Sequence, residues 1–168
     1  TSLLIDDNSN VYIAGRLWAN KVNNTPEPIK IYDPSDTQVA PYIFTPGIDY
    51  KIPTVIKFNG NNGTVQWAKT PTAYAANRTT GAYTEVKGLA FRGNDIAIGT
   101  GTAYSIWDNF VQNPAPFHAP DPALMRFDTQ TGNMVGMHTI ESPADYSGFT
   151  TAVAVDNDGN YVTGGAFQ

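Results

Sequence analysis

Ala154-Val155-Asp156-Asn157-Asp158-Gly159-Asn160-Tyr161-Val162-Thr163-Gly164-Gly165 strings together an apolar run, a polar turn and a second extended run. Near the start of the chain, Leu4-Ile5-Asp6-Asp7-Asn8-Ser9-Asn10-Val11-Tyr12-Ile13-Ala14-Gly15 superimposes on it without a gap, Ile5 falling on Val155 at an offset of 150 residues. A looser copy, Leu89-Ala90-Phe91-Arg92-Gly93-Asn94-Asp95-Ile96-Ala97-Ile98-Gly99, lies between them. Asn, Asp and Gly tolerate the positive φ that a tight reversal demands, so each copy predicts a β-hairpin.

A second unit repeats in the gaps. Val55-Ile56-Lys57-Phe58-Asn59 followed by Gly63-Thr64-Val65-Gln66-Trp67 matches Leu124-Met125-Arg126-Phe127-Asp128 followed by Gly132-Asn133-Met134-Val135-Gly136, at an offset of 69 residues. The period-two alternation, with a basic residue in the same slot, reads as strand. Hairpins of the two types therefore alternate, and two in series make a four-stranded antiparallel meander, the blade of a β-propeller. The expected fold is all-β, with about two and a half blades. The first spans 2–70 with an insert at 17–53, the second 85–140 with an insert at 101–122, and 150–168 is the first hairpin of a third. Two blades cannot cover each other's outer faces, so the chain is expected to be a fragment of a larger ring or to be completed by another chain. A small free-standing β-sandwich is the competing arrangement.

Composition agrees with many short strands and reversals: Gly 15, Pro 12, Tyr 9 and Phe 8 in 168 residues, with only 15% charged. A net charge of −5 with scattered basic residues argues against a nucleic-acid surface. With no cysteine there is no disulfide framework or thiolate metal site. No run approaches the ~20 apolar residues needed to cross a bilayer as a helix. The chain opens on Thr-Ser-Leu-Leu-Ile, already strand-like, and is read as a processed or internal piece of a longer polypeptide.

Asp156, Gly159, Asn160, Tyr161, Val162 and Gly164, with Lys57, Phe58, Asn59, Gly63 and Trp67, resemble the bacterial β-propeller repeat of the SBBP type. Gly136 where Trp67 stands, and Ser9 in place of the turn glycine, depart from that pattern. The resemblance covers the hairpins, roughly half the chain. It implies a secreted or cell-surface repeat protein, of the kind found in Bacteroidetes-type bacteria with type IX sorting domains, and specifies no activity.

The inserts carry rings among prolines. Trp18, Tyr32, Tyr42, Trp107 and Phe117 are the candidate ligand-binding residues, because rings beside Asp and Asn stack on and hydrogen-bond a sugar. Such rings also pin their own loops to the sheet edge. Asp156-Asn157-Asp158-Gly159-Asn160 resembles the start of a calcium loop but lacks a distal acid, so an Asx-rich turn is expected and no metal or cofactor is assigned. His118 and His138 have no ligand spacing, and no nucleophile elbow or phosphate-binding glycine loop occurs. The three Asn-x-Thr sequons are expected to be chance in an Asn- and Thr-rich chain.

The functional expectation is a non-catalytic scaffold contacting a protein partner, the cell envelope or the remaining blades, without nucleic acid or membrane insertion. A carbohydrate-binding module is the alternative. A propeller enzyme with catalytic residues on other blades is the third reading.

Overall fold

Among the described residues the chain forms seventeen strands and no helix. The computed structural model describes residues 1–18, 21–22, 25–26, 29–36, 38–42, 51–74, 85–102, 105–112, 120–141 and 148–167. In chain order the strands are β1 (Ser2–Ile5), β2 (Asn10–Trp18), β3 (Lys21–Val22), β4 (Thr25–Pro26), β5 (Ile29–Tyr32), β6 (Gln38–Tyr42), β7 (Lys51–Asn59), β8 (Val65–Lys69) and β9 (Ala73–Tyr74). There follow β10 (Glu85–Arg92), β11 (Asp95–Thr102), β12 (Ser105–Trp107), β13 (Phe110–Gln112), β14 (Asp121–Asp128), β15 (Met134–Thr139), β16 (Gly148–Val155) and β17 (Tyr161–Phe167).

Two antiparallel sheets of four strands have the orders β1-β2-β7-β8 and β10-β11-β14-β15, and β16-β17 forms a further hairpin. The inserts are shorter than 17–53 and 101–122, because Trp18 still pairs with Lys51 and Thr102 with Asp121. Nor are they plain loops. The first holds the pairs β3-β4 and β5-β6, and in the second β12 pairs with both β13 and β9.

The repeats share their turn chemistry. Asp6 and Asn10 close the first hairpin as Asp156 and Asn160 close the last, the N–H of Asp6 or Asp156 donating to the Asn carbonyl at 3.0 Å. Ser9 adopts φ 63° where Gly159 has 81°, so the departure from glycine leaves the geometry intact. The second-type hairpins also coincide, with Gly63 N–H donating to the Asn59 carbonyl and Gly132 N–H to that of Asp128, at 2.7 and 2.9 Å. Both carry a bulge at the same register, between Lys57 and Phe58 and between Arg126 and Phe127.

The sheets stack face to face. β1, β2 and β7 lie against β10, and β16 lies across β10, β11 and β14 on the other side. Directly opposed residues of antiparallel strands share a face. Tyr12, Ala14, Val55 and Trp67 of the first sheet therefore meet Ile96, Ile98, Met125, Phe127 and Met134 of the second, and all of them are buried. The Tyr12 ring meets the Phe91 ring edge-on at 4.9 Å. Burial of this apolar area, at about 25 cal/mol per Å², is the main force joining the sheets.

Candidate functional site

The polar chemistry of the first seam converges on one backbone oxygen. The Thr129 carbonyl, in the β14–β15 turn, accepts from Lys57 Nζ at 2.9 Å and from Trp67 Nε1 at 3.1 Å. Two donors fill the two lone pairs of a carbonyl. The Tyr12 hydroxyl, 3.5 Å from the same oxygen, donates to Asp6 Oδ2 at 3.2 Å. Lys57 is buried, and its ammonium rests 5.4 Å from the Tyr12 ring centroid. Burial, and then the Asp6 charge, push the Tyr12 phenol above its ordinary range, so it remains a protonated donor. Gly132 makes the approach possible: a Cβ there would lie 2.6 Å from Trp67 Cδ2.

The ring residues separate. Trp107 is not presented to a ligand: it is 1% exposed, meets Phe127 at 5.5 Å and donates from Nε1 to Ser105 Oγ at 3.1 Å. The reason is energetic, since β12 lays the indole over the seam and an exposed ring would forgo that burial. Asp108 pins the same segment, accepting the Met134 N–H at 2.9 Å. Tyr32, at the end of β5, is 49% exposed. Trp18 and Tyr42 end β2 and β6. Phe117 and His118 lie outside the described residues. Of the five rings only Tyr32 and Trp107 have described side chains, one exposed and the other buried. The lysine–tryptophan clasp on Thr129 escaped sequence reading because its acceptor is a main-chain atom; the only signal was Lys57 and Trp67 recurring at repeat positions.

The acidic turns are occupied by their own backbone. Asp6 Oδ1 accepts the N–H groups of Asn8 and Asn10 at 2.9 and 2.8 Å, and Asp156 Oδ1 those of Asp158 and Asn160 at 3.0 and 2.7 Å. Among the described residues no group of three His, Asp or Glu side chains could hold a metal ion, and no helix is long and apolar enough to cross a membrane.

These carboxylates make stability depend on acid. Burial alone would raise the Asp6 pKa, but donation from Asn10, Tyr12 and Asn8 outweighs it and holds the group below its ordinary 3.8. Asp128 is lowered by the Thr131 N–H and hydroxyl, and Asp156 by Asn160. A folded-state pKa below the unfolded one means that the unfolded chain binds more protons as pH falls, so this stabilisation is complete above about pH 5 and lost towards pH 3 and below. The expected result is a melting temperature that drops across that window, and a shallower drop in Asp6→Asn/Asp156→Asn. Calorimetry giving the variant the wild-type slope would count against these turns as the source.

No protein-family model, curated protein or solved structure matches this chain.

Proposed function

We propose that the chain is about two and a half blades of a larger β-propeller of the SBBP-repeat kind. In this reading it is a secreted or cell-surface, non-catalytic scaffold whose inserts meet a protein or envelope component. One observation carries the reading. Ile96, Ile98, Met125 and Phe127, a single face of the second sheet, are all 0% exposed. The same repeat positions in the first sheet, Val11, Ile13, Ile56 and Phe58, are only half-buried, and beside them Leu3 and Ile5 are 56% and 61% exposed. The second sheet thus has an apolar back face that the preceding sheet covers, and the half-buried apolar face at the same positions of the first sheet supports a further preceding sheet, as in a closed ring of repeats.

The polar side chains with catalytic potential in the first seam are spent on structure: Asp6, Lys57 and Tyr12 hold turns and sheets together. Placement outside the cell rests on the repeat resemblance. The inserts leave the ends of paired strands, Trp18 with Lys51 and Thr102 with Asp121, so a rigid frame presents them.

Residues 19–50 can be replaced by Asn-Gly, because a two-residue turn bridges a directly paired Trp18 and Lys51. A photocrosslinker at exposed Tyr32 of the full chain, displayed on the source cells, should capture one recurrent extracellular partner. The shortened chain, carrying the crosslinker in its Asn-Gly turn, should keep its fold and lose that partner. Retention of the same partner by the shortened chain, or capture only of cytoplasmic proteins, would overturn the proposal. Saturable binding to a purified glycan that Tyr32→Ala abolishes would favour the carbohydrate alternative instead.

A further inference from the structure

Between the second sheet and the β16–β17 hairpin lies a cleft of about 570 Å³, lined by Arg92, Leu124, Arg126, His138, Ile140 and Tyr161 among others. Its position in the repeat gives it a meaning. Arg126 occupies the slot of Lys57, Leu124 that of Val55 and Gly136 that of Trp67, each at the offset of 69 residues and with the same bulge beside the basic residue. The cleft is therefore the second seam's counterpart of the place where, in the first seam, the β14–β15 hairpin brings its turn carbonyl to Lys57 and Trp67.

The groups facing the cleft are prepared for such an arrival. Arg126 uses Nη1 on Asp95 at 2.8 Å, but its buried Nε has no hydrogen-bond partner among the described residues, and neither has the buried Tyr161 hydroxyl. Leaving a buried donor unsatisfied forfeits its hydration with no return, so the retention of both points to a partner. The Arg126 guanidinium lies across Gly136, where any Cβ would overlap it, and so takes the room that the Trp67 indole fills in the first sheet. Arg92 lies 4.8 Å from the Tyr161 ring centroid and 3.5 Å from Asp95, adding positive charge to the rim. The apolar side is open too: Ile140 is 52% exposed, and β17 has no strand on its outer edge among the described residues. The cleft runs on directly from the established seam between β16 and the second sheet.

We infer that this cleft is the docking site for a β-hairpin of the second type, supplied by a further repeat of the same protein. The hairpin pairs edge-on with β17 and delivers its turn carbonyl to Arg126 Nε. Two arguments select this occupant. Strands corresponding to β7–β8 and β14–β15 follow the first two first-type hairpins and pair with β2 and β11; β17 is the third strand of that kind. The acceptor fits as well, since the turn beside Lys57 presents a main-chain carbonyl, and Arg126 Nε at the same repeat position has no acceptor among the described residues. The inference rests on the repeated-scaffold reading above and gives it a specific joint.

An isolated hairpin is marginally stable in water, so the probe is tethered. The full chain is extended after Gln168 by a flexible Gly/Ser linker and a second copy of residues 120–141. Expected are alternate β17 amides exchanging at least about tenfold more slowly than in the unextended chain, and a new slowly exchanging Arg126 Nε–H. Arg126→Met, whose own fold is checked in the unextended chain, should reverse most of this protection. Tyr161→Phe, which removes only a hydroxyl, should reverse part of it. If the β17 amides exchange as before although the linker copy is intact, or if protection appears on β1 and the back face of the first sheet instead, the inference is overturned. Concentration-dependent dimerisation through β17 of the unextended chain would equally overturn it, by making a second copy the occupant. None of these outcomes touches crosslinking at Tyr32, so failure of the joint and failure of the scaffold reading remain distinguishable.

Discussion

Replacing Trp67 with alanine is expected to lower the stability of the chain by about 3–5 kcal/mol, the usual cost of deleting a buried large aromatic side chain. The indole is 8% exposed, packs 5.9 Å from Tyr12 and supplies one of the two donors on the Thr129 carbonyl. Its loss opens a cavity between the two sheets at that corner and leaves the Thr129 carbonyl to Lys57. For a domain of this size the fall in Tm is roughly 10 °C or more. Trp67→Phe separates the contributions: it keeps most of the ring and leaves Lys57 on the carbonyl, so the cost should be nearer 1 kcal/mol for the single lost bond. Thermal unfolding followed by circular dichroism measures both. If Trp67→Ala melts within a degree or two of wild type, the indole does not join the sheets.

Gly132→Ala is the second large effect, expected at about 3 kcal/mol from two separable causes. The residue sits at φ 71°, where any L side chain is strained, and a Cβ would lie 2.6 Å from the Trp67 ring. The strain alone is about 1–2 kcal/mol. Gly159 provides an internal reference, with φ 81° and nothing within 4 Å of a Cβ, so Gly159→Ala should cost only the strain. In a Trp67→Ala background the overlap disappears, and Gly132→Ala should then cost no more than Gly159→Ala. A double-mutant cycle measures the difference as a coupling of about 1 kcal/mol or more. Additive costs would mean that the ring and the turn are not in contact.

The strands and their order were legible because the information is local. Asp, Asn and Gly mark the reversals at 6–10, 59–64, 128–133 and 156–160, and period-two alternation on either side fixes strand and register. Ser9 shows how robust that signal is, since a non-glycine residue takes the same left-handed turn. What the alternation could not say was which face of Val55-Ile56-Lys57-Phe58 turns inward. The structure buries Val55 and the charged Lys57 and leaves Ile56 and Phe58 on the outer side, because the Thr129 carbonyl and the Tyr12 ring receive the ammonium. That carbonyl belongs to a residue 72 positions away, and a main-chain acceptor leaves no mark on composition.

Trp107 failed as a ligand ring for a related reason. Proline-rich surroundings read as loop, yet β12 pairs with β9, far back in the chain, and that pairing carries the indole into the seam. Gly136 was visible in the sequence as a missing tryptophan. Its consequence, room for Arg126, needed the sheet register to appear.

The stacking of the first sheet on the second is tested most directly by nuclear Overhauser spectroscopy of the assigned chain, reading the Gly132 α-protons against the Trp67 indole. Face-to-face stacking predicts strong cross-peaks between them and a marked upfield shift of one Gly132 α-proton, held over the ring face. Intact β7–β8 and β14–β15 ladder signals with neither the cross-peak nor the shift would show two hairpin systems that fold without packing on each other, and would contradict the repeat architecture.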